Sequence, residues 1–155
     1  IYKFGDLPGL DIKIICDFPV GSGLGGSSTI VVALCQALSV IKNVRLSKQA
    51  LVELAYEIER IDFGQKGGWQ DYYAAVYGGL METKYSKGGV GIVKHDVSYE
   101  FEGIVCANFF IIQYGQGRSS GEMHASIERS LETHDSSEAS MLGILELVDE
   151  AVEAL

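Results

Sequence analysis

The feature that most constrains this 155-residue chain is a glycine-rich segment between an apolar run and a helix-forming run. Four glycines fall within six positions of the segment Pro19-Val20-Gly21-Ser22-Gly23-Leu24-Gly25-Gly26-Ser27-Ser28-Thr29. Glycine lets the backbone curl and come close to a ligand because no side chain intervenes. The free N–H groups and the positive dipole end of a following helix would complete an anion site suited to phosphate. The alternative interpretation is a glycine-rich turn that leads into a core helix.

Composition narrows the choice of partners. The chain is 47% hydrophobic and 21% charged, which is typical of a soluble globular protein with one domain or parts of two. Its net charge is −9, and the acidic residues are scattered rather than grouped. Because no basic stripe is present to neutralise a phosphate backbone, we expect no nucleic acid partner. A negatively charged substrate would have to be held locally, by loop amides and a few cationic side chains.

The cysteines and the length of the apolar runs indicate the cellular compartment in which the protein works. The apolar helix-forming run Ile30–Ile41 is too short to cross a bilayer, and no signal peptide is visible at the start, so we expect no membrane association. The chain has three cysteines, an odd number: Cys16, Cys35 and Cys106. They lie far apart in the sequence, and each occurs in an apolar run. This pattern predicts buried free thiols in a reducing cytoplasm rather than a disulfide or a metal site.

Hydrophobic periodicity predicts the elements around the glycine segment. Alternating apolar residues over Asp11–Phe18 predict a half-buried strand, and the run Ile30–Ile41 predicts a helix buried on most sides. Ser47 has the position of an N-cap for a second helix, whose apolar residues continue to Ile61 at helical spacing. The polar segment Asp62–Asp71 predicts a flexible loop.

The same signals predict the rest of the chain. A short helix, two strands around a glycine turn, a longer strand and two final helices are expected at Tyr72–Tyr77, Leu80–Tyr85, Val90–His95, Ile104–Tyr114, Glu122–Thr133 and Ser137–Leu155. Gly78-Gly79 should stop the short helix. The best candidate for a boundary between subdomains is the stretch Tyr99–Gly103.

Two known kinds of glycine loop fit the segment poorly. The dinucleotide-binding fingerprint G-x-G-x-x-G is matched by Gly21, Gly23 and Gly26. That fingerprint also requires an acidic residue at the end of a second strand about twenty positions on, and no Asp or Glu occurs between Asp17 and Glu53. The Walker A loop requires a lysine where Ser27 stands. A dinucleotide-binding oxidoreductase therefore stays as a weak alternative.

A third kind of loop fits better. Pro19–Ser28 resembles the P-x-G-S-G-L-G-S-S signature of the GHMP small-molecule kinases, which include galactokinase, homoserine kinase, mevalonate kinase and phosphomevalonate kinase. Gly26 stands in place of the first serine of the signature, and Ser27 keeps the second.

Two further motifs support the resemblance and favour its sugar-kinase branch. Glu59 lies twelve residues before Asp71, and the segments Gly67-Gly68-Trp69-Gln70-Asp71 and Ala74-Ala75-x-x-Gly78-Gly79 follow the pattern of fucokinase and the D-glycero-D-manno-heptose 7-phosphate kinases. The segment Tyr114–Ser120 resembles T-G-x-x-R-x-S of that branch, with Tyr114 in place of threonine. The resemblance covers roughly Asp11–Met123.

The resemblance implies an α+β chain with the GHMP kinase fold. Residues 1–102 would be part of the N-terminal, ATP-binding domain, which resembles domain 2 of ribosomal protein S5. Residues 103–155 would be the start of a ferredoxin-like C-terminal α+β domain. Because the chain starts at Ile1 and its last helix has no cap at Leu155, we expect a fragment truncated at both ends, which by itself is incomplete as an enzyme.

The resemblance also assigns roles to individual residues. The ATP phosphates would be held by the glycine segment, namely Pro19, Gly21, Ser22, Gly23, Leu24, Gly25, Gly26, Ser27 and Ser28. Ser27 and Glu59 would bind Mg²⁺, which prefers oxygen ligands. Asp71 would be the catalytic base that accepts the proton of the attacking hydroxyl. The substrate would be contacted by Gly68, Trp69, Gln70 and Arg118.

Each assignment has a structural alternative. Glu59 is otherwise a solvated charge at the edge of a buried stripe, and Asp71 is otherwise the N-cap of a short helix. Trp69 either stacks on a sugar or anchors its loop in the core. Arg60 or Lys66 either neutralises charge on the transferred phosphoryl group or is a surface cation, and Arg118 has the same surface alternative. The three histidines, His95, His124 and His134, have no metal-ligand spacing.

Together these features predict an ATP- and Mg²⁺-dependent sugar kinase, a cytoplasmic transferase whose candidate assembly is a homodimer. Its acceptor would be a hydroxyl of a sugar or sugar phosphate, and the resemblance to the fucose and heptose phosphate branch points to the anomeric one. The alternative from another class is a non-catalytic sugar or nucleotide-binding regulator with the same fold.

Overall fold

A computed structural model describes residues 2–7, 9–19, 21–112, 120–133 and 135–154, without the side chains of Tyr2, Ser120 and residues 135–138. The helices and strands after a short 3₁₀ turn at Tyr2–Phe4 are α1 Gly26–Ile41, α2 Lys48–Tyr56, a π-helical turn Glu57–Asp62, α3 Gln70–Tyr77, β1 Met81–Ser86, β2 Gly89–Lys94, α4 Tyr99–Asn108, α5 Ser120–Thr133 and α6 Asp135–Glu153. Helices and strands are therefore both present, as the α+β class requires. None of the described helices is long and apolar enough to cross a membrane.

The chain divides into two compact units. One unit comprises Ile1–Gly78 with Gln116–Gly121, and the other comprises Gly79–Gly115 with Glu122–Leu155. Each unit is described by itself below. The division between domains expected at residues 102 and 103 stays a prediction.

The core of the first unit lies where α1, α2 and α3 pack on one another. The residues of α1 that are buried share one face, since they recur every three or four positions: Ser28, Val32, Cys35, Leu38 and Ser39. α2 buries Leu51, Val52 and Ala55 against this face, and α3 buries Tyr72 and Tyr73. The expectation that α1 is buried on most sides is wrong, because its other face is exposed.

Local sequence signals predicted the start of α2 and the end of α3, but not the start of α1. Ser47 is the N-cap of α2, where its side chain accepts a hydrogen bond from the N–H of Ala50 at 3.1 Å, as predicted. α1 begins at Gly26, four residues before the predicted start, directly after the glycine loop. Gly78, with φ 61°, ends α3 at the predicted place.

The strand predicted over Asp11–Phe18 is wrong. These residues adopt no regular secondary structure, and Ile12, Ile14 and Ile15 are 50%, 52% and 75% exposed. The described residues contain one sheet, made of β1 and β2 alone. A strand requires a hydrogen-bonding neighbour, and the described part of the chain places none beside this run.

The second unit contains the predicted hairpin. β1 and β2 pair antiparallel with Met81 opposite Lys94 and Ser86 opposite Gly89, so the two predicted strands are confirmed to within one residue. Gly89, the first residue of β2 after the turn, has φ 123°, a conformation that residues with side chains rarely adopt.

The strand predicted over Ile104–Tyr114 is wrong where the structure describes it. Residues up to Asn108 belong to α4, and residues 109–112 are irregular, while Tyr114 lies outside the described residues. Ser98 caps α4 by accepting a hydrogen bond from the N–H of Phe101 at 3.1 Å, and acidic residues occupy the first turn. Such a cap favours a helix over a strand for an apolar run of this length.

The two final helices are confirmed, although α6 begins at Asp135 rather than at Ser137. The cysteine prediction is correct for one residue only. Cys35 is buried in α1, whereas Cys16 and Cys106 are exposed, because the runs that contain them are not covered.

Candidate active site

The glycine loop before α1 depends on left-handed backbone conformations. Gly21, Gly23 and Gly25 have φ values of 75°, 76° and 68°, which glycine adopts without the penalty that other residues incur. The N–H of Ser22 donates to the carbonyl of Pro19 at 3.3 Å, which closes a turn at the start of the loop. Residues 21–24 are exposed. The loop is therefore open to solvent and accessible to a ligand.

The N-terminus of α1 follows the loop directly. Gly25 is the N-cap and, having no side chain, makes no capping hydrogen bond, and the first turn contains no acidic residue. The first N–H groups of a helix lack partners within the helix and carry the positive end of its dipole. An anion bound at the loop would therefore accept hydrogen bonds from these N–H groups and would interact favourably with the positive end of the dipole.

Gly26 differs from the kinase signature, and the structure gives a reason. A Cβ atom at Gly26 would lie 2.5 Å from Cε2 of Phe18. The ring of Phe18 thus occupies the space that a serine side chain would need. The glycine and the phenylalanine form a matched pair at the base of the loop.

Asp71 lies against the loop. It is the second residue of α3, and its carboxyl carbon is 3.3 Å from the position that a Cβ atom on Gly25 would occupy. The N-cap of α3 is Trp69, so the alternative that Asp71 is only an N-cap is wrong. The structure therefore brings the predicted base to the predicted phosphate loop, although the two are 46 positions apart in the sequence.

Glu59 is buried in the π-helical turn, with 6% of its surface exposed. Its Oε2 atom accepts hydrogen bonds from Ser28 Oγ at 3.1 Å and from the Tyr72 hydroxyl at 2.8 Å. The alternative that Glu59 is a solvated charge is therefore wrong. Ser27, its predicted partner at the metal, is exposed on the first turn of α1, and the serine that contacts Glu59 is Ser28.

Arg60 fastens the loop that precedes α3. Its Nη1 atom donates to the carbonyl of Lys66 at 3.1 Å, and its guanidinium carbon lies 5.3 Å from the centre of the Tyr72 ring. A Cβ atom on Gly67 would lie 2.5 Å from the same carbon. Arg60 is thus not a surface cation, and its contacts lie within the protein, with the loop and with Tyr72 of α3.

Trp69 packs one face of its indole ring against aromatic residues of the protein. The ring stacks on Tyr56 with centroids 3.5 Å apart and planes 2° from parallel, and it meets Tyr73 at a tilt with centroids 6.4 Å apart. These contacts support the anchoring role. Gln70 is exposed, and its side chain folds over Gly68. Arg118 lies outside the described residues.

Tyr72 is the site residue that the sequence analysis did not single out. Its side chain is fully buried, and burial together with the hydrogen bond to Glu59 raises the pKa of its phenol well above the usual value. The phenol is therefore a stable hydrogen-bond donor. The only signal in the sequence was its place beside Asp71, since the contact with Glu59 depends on how α3 packs on the π-helical turn.

The model of the GHMP kinase N-terminal domain matches residues 1–79 of the chain. The chain therefore belongs to the GHMP kinase family, as the loop and the two acids suggested. This membership confirms the predicted fold class and sets the dinucleotide-binding interpretation aside.

Several curated relatives and one solved structure are similar to the chain. A D-glycero-alpha-D-manno-heptose 7-phosphate kinase from Campylobacter jejuni is 54% identical over 64 residues, which are 41% of this chain and 19% of the relative. A mevalonate kinase from Archaeoglobus fulgidus is 29% identical over 86% of this chain and 43% of its own length. A bifunctional fucokinase/GDP-fucose pyrophosphorylase from Arabidopsis thaliana is 37% identical over 52% of this chain and 8% of its own length.

The solved structure is a Campylobacter jejuni protein assigned as a sugar kinase. It superimposes with a TM-score of 0.55 at 32% identity, over 85% of this chain and 42% of that one. The chain thus spans less than half the length of each of these relatives.

Proposed function

We propose that the protein to which this chain belongs transfers the γ-phosphoryl group of ATP to a hydroxyl of a sugar or sugar phosphate. Phosphoryl transfer requires mainly that the reactants be positioned and that their negative charge be neutralised. The glycine loop and the N-terminus of α1 offer backbone N–H groups for the ATP phosphates. The exposure of residues 21–24 supports this role.

The observation that carries the proposal is the carboxyl group of Asp71 beside Gly25. A base that accepts the proton of the attacking hydroxyl must stand within reach of the phosphoryl group. The carboxyl carbon lies 3.3 Å from the Cβ position of the loop residue that caps α1. A regulator that only binds its ligand needs no such base.

Magnesium is the cofactor that we assign to Ser27 and Glu59. The described residues contain no cluster of three or more His, Cys, Asp or Glu side chains that could hold a metal by themselves. This fits Mg²⁺, which is commonly held by one or two protein oxygens, nucleotide phosphates and water. The carboxylate of Glu59 is tied to α1 through Ser28, one position from Ser27 on the first turn. When bound, the ion would neutralise charge on the phosphates.

The class of acceptor rests on the relatives. The heptose 7-phosphate kinase is 54% identical over 64 residues, and the fucokinase relative is 37% identical over 81 residues. We therefore place the acceptor among sugars and sugar phosphates, with the anomeric hydroxyl as the reacting group. The mevalonate kinase relative makes mevalonate the control acceptor from another chemical class.

The test uses the full-length protein encoded by the gene. ADP release is followed with ATP, Mg²⁺ and a panel of free sugars, sugar phosphates and mevalonate. Asp71→Asn, which keeps the size of the side chain but removes its basicity, should lower turnover with the best acceptor about 100-fold or more.

Asp11→Asn is the control, because Asp11 is exposed and outside the site. Unchanged turnover in Asp71→Asn would contradict the assignment of the base. Binding of sugar and ATP without ADP release in the wild type would favour the regulator.

A further inference from the structure

The π-helical turn aims Glu59 into the interior of the first unit. Glu59 lies in the middle of the turn, and the N–H of Phe63 reaches back five residues to the carbonyl of Ile58 at 3.0 Å. Such turns shift the direction of side chains relative to a regular α-helix and occur often at functional sites. The carboxylate of Glu59 consequently meets both α1 and α3.

The two oxygens of this carboxylate have different surroundings. Oε2 accepts hydrogen bonds from two hydroxyl groups, Ser28 Oγ at 3.1 Å and Tyr72 at 2.8 Å. A carboxylate oxygen has two lone pairs, so these donors occupy both positions on Oε2. Oε1 lies 3.9 Å from Nη1 of Arg60, which is beyond hydrogen-bond distance. Oε1 is therefore the oxygen with capacity for a further ligand.

Tyr72 is suited to fix this arrangement. Its ring is fully buried, so it has little freedom to turn, and its hydroxyl has Glu59 as acceptor. Tyr72 also follows Asp71 directly in α3, and successive side chains of a helix diverge by about 100°. One helix turn thus sets Asp71 against Gly25 while Tyr72 reaches Glu59.

We propose that Tyr72 and Ser28 are positioning residues that occupy Oε2 of Glu59 and so leave Oε1 to bind Mg²⁺. This inference rests on the proposed function, in which Glu59 is a metal ligand. Partners that orient a metal ligand change metal affinity roughly 10- to 100-fold when they are removed. The role of Tyr72 is to select which oxygen faces the metal, without contact with the reacting atoms.

Tyr72→Phe removes one oxygen atom and leaves the ring in place. Tyr73→Phe is the matched control, since Tyr73 is also buried and its hydroxyl also has a hydrogen-bonding partner, the side chain of Gln49. Both variants are made in the full-length protein. The affinity for a non-hydrolysable ATP analogue is measured by isothermal titration calorimetry, with and without Mg²⁺.

In the wild type, Mg²⁺ should strengthen binding of the analogue. In Tyr72→Phe this gain should shrink roughly 10-fold, while the affinity without metal and the KM for the sugar stay unchanged. Tyr73→Phe should keep the full gain. A loss of affinity that is equal with and without Mg²⁺ would show a merely structural role and would overturn the inference, as would equal behaviour of the two variants.

Circular dichroism checks that Tyr72→Phe is folded. If it is not, Ser28→Ala carries the test, because it removes the other donor to Oε2 and should also shrink the gain from Mg²⁺; a full gain in that variant would overturn the inference. The proposed function fails separately. It fails if Asp71→Asn keeps full turnover, or if Mg²⁺ does not strengthen binding in the wild type, in which case this inference falls with it.

Discussion

Replacing Gly67 with alanine tests how firmly Arg60 holds the loop before α3. A Cβ atom at Gly67 would lie 2.5 Å from the guanidinium carbon of Arg60, 2.6 Å from Nη2 and 2.7 Å from Nη1. Gly67 is not in the left-handed region, so the alanine itself introduces no backbone strain. The cost must therefore come from displacing Arg60.

The size of this cost follows from the contacts of Arg60, whose side chain is 10% exposed. A displaced guanidinium loses its hydrogen bond to the carbonyl of Lys66, and a bond to a charged donor contributes about 1.5–3 kcal/mol. It also leaves the face of Tyr72, a contact that contributes about 0.5–1 kcal/mol. Against this, alanine lowers the entropy of the unfolded chain, which stabilises by about 0.4–1 kcal/mol. We expect the free energy of unfolding to fall by about 2 kcal/mol.

The adjacent glycine provides the control. A Cβ atom at Gly68 would meet only the end of the exposed Gln70 side chain, which can swing into solvent. Gly68→Ala should therefore keep the free energy of unfolding or raise it by up to about 1 kcal/mol, since the entropy of the unfolded chain is the main term that changes. Urea unfolding of the two variants and the wild type measures the difference. Equal stability of Gly67→Ala and Gly68→Ala would refute the reasoning, because Arg60 would then be free to move.

Two further predictions concern the helices of the first unit. Ser47→Ala should lower the free energy of unfolding by about 1 kcal/mol, because the N–H of Ala50 loses its acceptor, and Ser47→Asp should restore it; thermal unfolding measures both. Burial raises the pKa of Cys35 from 9.0 to about 11. Iodoacetamide at pH 8 should therefore label Cys16 and Cys106 but not Cys35, as read by mass spectrometry of peptides. The stability that comes from the protonated Cys35 thiol is complete below pH 9 and is lost as the pH rises towards 11, and rapid labelling of Cys35 in the folded protein at pH 8 would contradict this.

The elements that the sequence predicted well depend on local signals. Residues within a few positions of the element specify the N-cap at Ser47, the glycine stop at Gly78 and the hairpin whose second strand begins at Gly89. The sequence also predicted that α1 is a helix, but wrongly predicted that it is buried on most sides. A run that is apolar all round does not show which side its neighbours cover.

The two wrong strands share a physical reason. A strand forms only with a partner that is distant in the sequence, and periodicity carries no information about that partner. Over Asp11–Phe18 the described chain places no neighbouring strand, and over Ile104–Asn108 the cap at Ser98 favours a helix. The apolar residues of both runs are largely exposed, as Ile15 shows at 75%.

The sequence predicted which residues form the candidate site, but it predicted only part of the contacts between them. The motifs singled out Glu59 and Asp71, and the structure brings both to α1. Which serine meets Glu59 depends on the rotation of α1, and a shift of one residue turns the side chain by about 100°. The burial of Glu59 and the part played by Tyr72 require three packed elements. No local pattern contains that information.

The two acids of the site are coupled through the segment between them. Burying the charge of Glu59 is costly unless a partner compensates it, and Arg60 lies 3.9 Å away while it also binds the carbonyl of Lys66. At the other end of the segment, Trp69 stacks on Tyr56 and fixes the start of α3, which carries Asp71. The segment is thus fastened in its middle and at its end. A substitution that frees Arg60 should therefore loosen the middle of the segment between Glu59 and Asp71, while the contact of Trp69 with Tyr56 still holds its end.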